Sequence, residues 1–240
     1  MPGTLRTEAI VLRSIRYGEG DRVLHLYTPH RGRLSAIAKG ARKARSRFGG
    51  RLEPFFRLDL VLHEGRGELL TVTAAETVDG YPRLRADGPA LDASARACDA
   101  VSRLFETDEP HPEVYNLLCN ELALLDADPA RATRTNQLAF RLKLLLAAGF
   151  APQLAACTAC GAQDHLTGFS GAAGGVVCSA CEASSFPLDE AAHAFLAGAL
   201  GAPLAATPDA PERALRQTER AIAETVEHHA GVRWRAAAAG

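Results

Sequence analysis

Four cysteines carry the most specific chemistry in this sequence: Cys157-Thr-Ala-Cys160 and Cys178-Ser-Ala-Cys181, with seventeen residues between the two pairs. Two residues between cysteines let one tight turn present both sulfurs to the same ion. A second such pair roughly 15–20 residues further on completes a tetrahedron, each sulfur about 2.3 Å from the metal. Four thiolates leave no open coordination position. The expected ion is therefore a structural Zn2+, one per chain, and not a catalytic one. The second chemical feature is a basic run. Lys39, Arg42, Lys43, Arg45, Arg47 and Arg51 place six positive charges in thirteen residues with no acid among them. Phe48 lies within the run. Cations that follow phosphates, beside a ring that stacks on bases, hold single-stranded nucleic acid largely without reading its sequence.

Other reactive residues read as structural. Cys98 and Cys119 fall on apolar helical faces, the usual place of an inert buried thiol. His165 could replace a metal ligand, but four cysteines already suffice. Glu19 and Asp21 are a conceivable carboxylate pair for a metal-dependent nuclease, but Tyr17-Gly-Glu-Gly-Asp21 reads as a turn between strands. His228 and His229 end a helix, where they favour its negative pole. Phosphate-binding glycine loops, dinucleotide fingerprints and the His-Glu-x-x-His zinc motif are absent from the sequence. No enzymatic activity is expected.

The charges are unevenly placed. The 240 residues hold 27 Lys+Arg and 28 Asp+Glu, a net charge of -1. That figure argues mildly against nucleic acid until the chain is divided. Residues 1–85 carry sixteen basic and nine acidic residues; residues 86–240 carry eleven and nineteen. The first part is therefore at +7 and the second at -8. Hydrophobic residues make up 47% and charged residues 23%, the usage of a folded globular chain. The longest apolar stretch, 138–156, is interrupted by Arg141 and Lys143, and the N-terminus lacks a signal-peptide core. A cytoplasmic protein with no membrane segment is expected.

The elements that must position these residues divide in the same way. Residues 8–15, 22–27, 33–39, 55–63 and 69–74 are rich in branched residues or alternate, and Gly-rich turns separate them. Five short strands at this spacing suit a small barrel. After Gly80-Tyr-Pro82 the apolar spacing becomes helical: Leu91 to Phe105, Val114 to Leu125, Thr133 to Leu146 with Gly149 as its cap, Pro187–Asp189 through Leu200, and Glu212 to His229 ended by Gly231. The Ala-rich tail after Trp234 is expected to fray. The expected fold is α+β: an OB-fold β-barrel over residues 1–80, then a helical domain over 81–240 with the zinc knuckle inserted at 157–181.

Several motifs in order carry a resemblance. Glu8-Ala-Ile-Val-Leu-Arg13, Tyr17-Gly-Glu-Gly-Asp-Arg22, Thr28-Pro-His-Arg-Gly32, Ala38-Lys-Gly-Ala-Arg-Lys43 and Leu52-Glu-Pro-Phe55 resemble the RecO family of bacterial recombination mediators. Leu142-Lys143, Gly149-Phe150, the four-cysteine insert and Phe186-Pro-Leu188 extend the likeness over nearly the whole chain. The resemblance implies an N-terminal OB-fold, a helical domain and a zinc knuckle. It implies binding of single- and double-stranded DNA, annealing of complementary strands, and help in loading recombinase onto DNA coated with single-strand-binding protein. RecR and the acidic C-terminal tail of the single-strand-binding protein are the implied partners. Arg16, Lys39, Arg42 and Lys43 match its phosphate-contacting positions; Arg45, Arg47 and Arg51 extend that set by local charge. A basic-rimmed groove for the partner tail would draw on Leu142, Lys143 and the stretch from Arg134 to Arg141. The competing reading is a zinc-ribbon RNA- or transcription-associated OB-fold protein, which shares the cysteine pattern and the basic barrel.

Overall fold

Alternating inward leucines dictate the first half of the chain. The structure, a computed structural model, describes residues 3–65, 67 and 69–237. Leu24 and Leu26 on β2 (Asp21–Thr28), Leu34, Ala36 and Ala38 on β3 (Gly32–Ala38), and Leu58, Leu60 and Leu62 on β4 (Arg57–His63) all point inward. With β1 (Thr4–Tyr17) and β5 (Leu70–Asp79) they close a barrel in the order β1-β2-β3-β5-β4. Most pairs are antiparallel, and a short parallel contact, Ala36–Ile37 with Leu70–Thr71, joins β3 to β5. Strand β1 is long because it serves two partners. Its first half pairs with β4 and its second with β2, and a bulge between Val11 and Arg13 bends it from one to the other. The turn expected at 65–67 falls partly outside the described residues.

Contacts divide the chain into two compact units, residues 1–129 and 130–240. Three helices share the first unit with the barrel: α1 (Pro82–Ala86), α2 (Gly88–Leu104) and α3 (Pro112–Ala127). Asp87 caps α2 by accepting the Ala90 N–H at 2.9 Å. Gly32 starts β3 at φ 47, and a Cβ there would stand 2.3 Å from the Glu109 carbonyl oxygen. Only glycine allows the Arg33 N–H to reach the Thr107 carbonyl at 3.0 Å.

The second unit holds α4 (Arg134–Ala147), α5 (Glu190–Gly201) and α6 (Glu212–Ala230). Gly149 ends α4 in the left-handed conformation. The Phe150 N–H returns to Leu145 and the Gly149 N–H to Leu146, the two bonds of a Schellman cap. Asp189 caps α5, whereas Pro187 belongs to a strand. The cysteine segment is more regular than a bare knuckle. It contains β6 (Leu166–Ser170) and β7 (Gly175–Cys178), and β8 (Phe186–Pro187) completes a three-stranded sheet ordered β7-β6-β8. The tail does not fray where it is described. Ala237 is buried, the Arg235 carbonyl accepts from Arg141, and the Ala237 N–H donates to Glu219. Residues 238–240 lie outside the described part. No helix among the described residues is long and apolar enough to cross a membrane.

Candidate nucleic-acid interface and metal centre

The basic run occupies the turn-rich connection between β3 and β4. This connection closes one end of the barrel from inside. Ala41, Phe48 and Leu52 are buried in the barrel core, with Phe48 1% exposed. That burial corrects the reading of Phe48 as a stacking platform. An open barrel end needs a large apolar plug, and Phe48 is the only aromatic ring the connection offers before Phe55. The Arg47 guanidinium lies over the ring, 4.8 Å from its centroid.

With the plug inside, the cations stay outside. Lys39, Arg42, Lys43, Arg45, Arg47 and Arg51 are all exposed, as is Arg16 on β1. Backbone hydrogen bonds fix their place. The Asp21 Oδ1 accepts the Gly40 N–H at 2.7 Å, the Gly20 carbonyl accepts the Arg42 N–H at 2.9 Å, and the Gly18 carbonyl accepts from Arg42 Nη1 at 3.3 Å. The β1–β2 turn is thus the support of residues 39–43, and Asp21 has a structural task there. At the other end Arg47 donates to the Val72 carbonyl and Arg51 to the Ala75 carbonyl, at 3.3 and 3.2 Å. The run therefore spans from the β1–β2 turn to β5.

Four acids of the barrel pair with other arginines. Glu8 holds Arg57, Glu53 holds Arg22, Asp59 holds Arg6 and Glu64 faces Arg31. Among the described residues none of the seven predicted cations forms an ion pair. Arg13, which sequence reading passed over, is also exposed on β1 and opposes His25 on β2. Burial first, then the charges of Arg33 and Arg13, hold the His25 imidazole below its ordinary range.

The four predicted cysteines come together. The sulfurs of Cys157, Cys160, Cys178 and Cys181 all lie within 4.8 Å of one another. Thiolates about 2.3 Å from one ion in a tetrahedron sit about 3.8 Å apart, so the cluster fits a four-coordinate metal. Each pair rides on a tight turn: the Gly161 N–H returns to Cys157 and the Cys181 N–H to Cys178. Cys178 is the last residue of β7, which anchors the second turn to the sheet. The Cys157 sulfur accepts backbone N–H bonds from Cys178, Cys160 and Ala159, which draw its thiol down to about 6. Cys181 is pushed up to about 12, because its proton is shared with Cys160 and Cys178. His165 is not part of this metal-ligating group. Cys98 is buried and Cys119 half-buried, and burial raises both thiols.

The helical residues suggested for a partner groove are occupied. Arg134 binds Glu212 and Glu219, and Arg141 reaches Glu219 and the Arg235 carbonyl with its side chain 5% exposed. Leu142 is buried, and Lys143 donates to the Leu200 carbonyl at 3.2 Å. Arg141 thus holds the C-terminal segment, and the three cations are engaged within the unit and do not form an open basic rim. The sequence signal for this is the pair of acids on α6, Glu212 and Glu219: Arg134 meets both, and Arg141 shares Glu219.

Comparison with known proteins agrees with this architecture. Residues 1–81 match the family model described as recombination protein O N terminal, and residues 85–236 match recombination protein O C terminal. The chain belongs to the RecO family. A DNA repair protein RecO of Anaeromyxobacter sp. (strain K) is 36% identical over 237 residues, covering 95% of this chain and 92% of that protein. The protein of the same name from Rubrobacter xylanophilus is 38% identical over 232 residues, covering 93% and 90%. The one from Cutibacterium acnes is 33% identical over 232 residues, covering 94% of each. The RecO family's two segments thus correspond to the barrel and to the part that follows it, and the four-cysteine cluster lies in the latter.

Proposed function

We propose that this RecO-family chain is a DNA repair and recombination mediator that works by binding, with no bond made or broken. The observation that carries the reading is the set of seven exposed, ion-pair-free cations at Arg16, Lys39, Arg42, Lys43, Arg45, Arg47 and Arg51, set against a fixed hairpin turn. They bind the phosphates of single- and double-stranded DNA. Each phosphate neutralised releases condensed counterions, so affinity falls steeply with salt. Two complementary strands held on such a surface lose their mutual repulsion while their bases stay free to pair, and the outcome is annealing. Family membership supports the further steps: loading of recombinase onto DNA coated with single-strand-binding protein, through contacts with RecR and with that protein's C-terminal tail. The protein acts in the cytoplasm, at the nucleoid.

The ion at the four cysteines is Zn2+, held for structure. An all-sulfur tetrahedron suits zinc and offers it no open position for a substrate. The segment's apolar cluster comprises only Cys157, Val177 and Cys178 as buried members, and two of these are ligands. The ion supplies the cohesion that so small a core cannot.

The test is binding of a fluorescent oligonucleotide across a salt series, with annealing of complementary strands in parallel. The affinity should fall linearly on a log–log plot. Neutralising Lys39, Arg42 and Lys43 together to Gln should reduce the slope by about two and weaken binding roughly a hundredfold at physiological salt. A salt-independent affinity would refute the reading. Annealing in the presence of single-strand-binding protein separates it from the RNA- or transcription-associated alternative, which predicts none.

A further inference from the structure

Of the chain's fourteen aromatic residues, Tyr17 alone is exposed. Its side chain is 57% accessible, the highest of the exposed large hydrophobic residues. The other rings have clear occupations. Phe48 and Phe55 are buried in the barrel unit, Tyr27 and Phe105 meet edge to face at 6.4 Å, and Phe56 lies beneath the Arg85 guanidinium at 4.5 Å. A ring exposed to this extent gains little for the fold, because most of its apolar surface stays in water.

Its position is not arbitrary. Tyr17 is the last residue of β1 and opposes Asp21, whose carboxylate receives the Gly40 N–H. The turn that Tyr17 enters is the one on which Arg42 is docked by two hydrogen bonds. Two residues before it on the same side of β1, Ile15 is 37% exposed and opposes Val23, which in turn opposes Ile37 on β3. A short apolar strip therefore runs across β1–β2–β3 and ends at an exposed ring beside the cations. Phosphate-binding cations need no apolar neighbour; an unstacked base does.

We propose that Tyr17 is the base-stacking platform of this surface, so that an unpaired nucleobase packs on its ring while the neighbouring cations hold the backbone. This rests on the DNA-binding reading above and deepens it. It makes the site prefer single strands, because a base in a duplex is already stacked on its neighbours. The chemistry needed is the π face of any base, so the contact adds affinity without choosing a sequence.

The experiment compares three labelled probes of equal length: oligothymidylate, an oligonucleotide abasic throughout its length, and a duplex. Tyr17→Ala should weaken oligothymidylate binding roughly 5- to 100-fold, and Tyr17→Phe should stay within about twofold of the unmodified protein. The salt slope should not change, because no phosphate contact is lost. Affinity for the abasic strand and for the duplex should be unaffected. Equal losses on all three probes would overturn the proposal, since the ring would then be propping up the basic run. Unchanged oligothymidylate binding by Tyr17→Ala, with the unmodified protein binding normally, would also overturn it and leave the ring as a protein-contact residue. Failure of the unmodified protein to bind any probe would instead sink the DNA-binding reading itself.

Discussion

The chain has two glycine-rich segments that carry its chemistry, residues 39–56 and 157–181, and they keep their shape by opposite means. The first is held from inside by apolar burial: Phe48 and Leu52 reach into a barrel core built from five strands. Its polar groups are therefore left over, and among the described residues its cations from Lys39 to Arg51 form no ion pair. The second has almost no core of its own. Two of its buried side chains, Cys157 and Cys178, belong to the four-cysteine cluster, and Phe169, Val176 and Val177 are the other buried apolar ones. The lesson is that an irregular segment needs an anchor, and the type of anchor decides what remains for function. Where side-chain burial anchors the loop, charge is free to meet a partner. Where the reactive side chains themselves are the anchor, they are consumed in the fold.

Removing the metal should break the comparison most visibly. Structural zinc sites contribute on the order of 10 kcal/mol to folding at neutral pH. Chelation, or Cys157→Ser with Cys178→Ser, should release about one zinc per chain and abolish amide protection over 157–181. The barrel's protection and its DNA affinity should be preserved. Hydrogen exchange measured beside metal analysis checks this. Loss of DNA binding on chelation would mean that the two segments are not independent.

Phe48→Ala tests the other anchor. Truncating a buried Phe costs about 3–5 kcal/mol. Urea denaturation should show a loss of this size. DNA affinity should fall as well, although every cation is retained, because the run loses its support. A stable barrel with a weakened interface would show that the plug orders the loop only; a stable barrel with normal binding would show that it does neither.

How much of this was legible beforehand follows from the same contrast. The strands were readable because their inward leucines recur every second residue, and the cysteine cluster because ligand spacing is a local property. The fate of Phe48 was not readable. Its neighbours are arginines, and only the closed barrel shows an end that needs filling. Arg134 and Arg141 misled for the reverse reason. They begin and cross α4, Arg134 among polar residues and Arg141 among apolar ones, and their partners, Glu212 and Glu219, are far along the chain. The short strands β6 and β7 escaped notice because four or five residues among glycines give too little alternation to count. In the sequence Tyr17 is part of a turn signal, and its exposure is a tertiary fact.

Pairing, not charge alone, should decide which arginines matter to DNA. Arg6 is as exposed as the basic run but is matched by Asp59, whose carboxylate it holds below the usual range through a hydrogen bond of 2.6 Å. Arg6→Gln should therefore change oligonucleotide affinity less than about twofold. Arg42→Gln or Lys43→Gln alone should cost roughly fivefold and lower the salt slope by about one. Equal effects at Arg6 and Arg42 would show that the surface acts as a diffuse positive field and not as a placed set of contacts.

An effect no larger than that of a single cation should come from the clamp itself. Asp21 carries no positive charge and makes one relevant bond, to the Gly40 N–H. Losing a single hydrogen bond at a half-buried site costs about 1 kcal/mol, or roughly fivefold in a coupled affinity. Asp21→Ala should weaken DNA binding by about that factor. Removing an acid from beside the cations opposes this loss, so a measured weakening speaks for the clamp. Asp21→Asn keeps an acceptor oxygen at the same place and should restore Gly40's bond, with binding at or slightly above that of the unmodified protein. The pair of variants also judges the carboxylate as a metal ligand with Glu19. A nuclease site would lose magnesium-dependent cleavage in Asp21→Asn as completely as in Asp21→Ala, whereas a clamp separates the two.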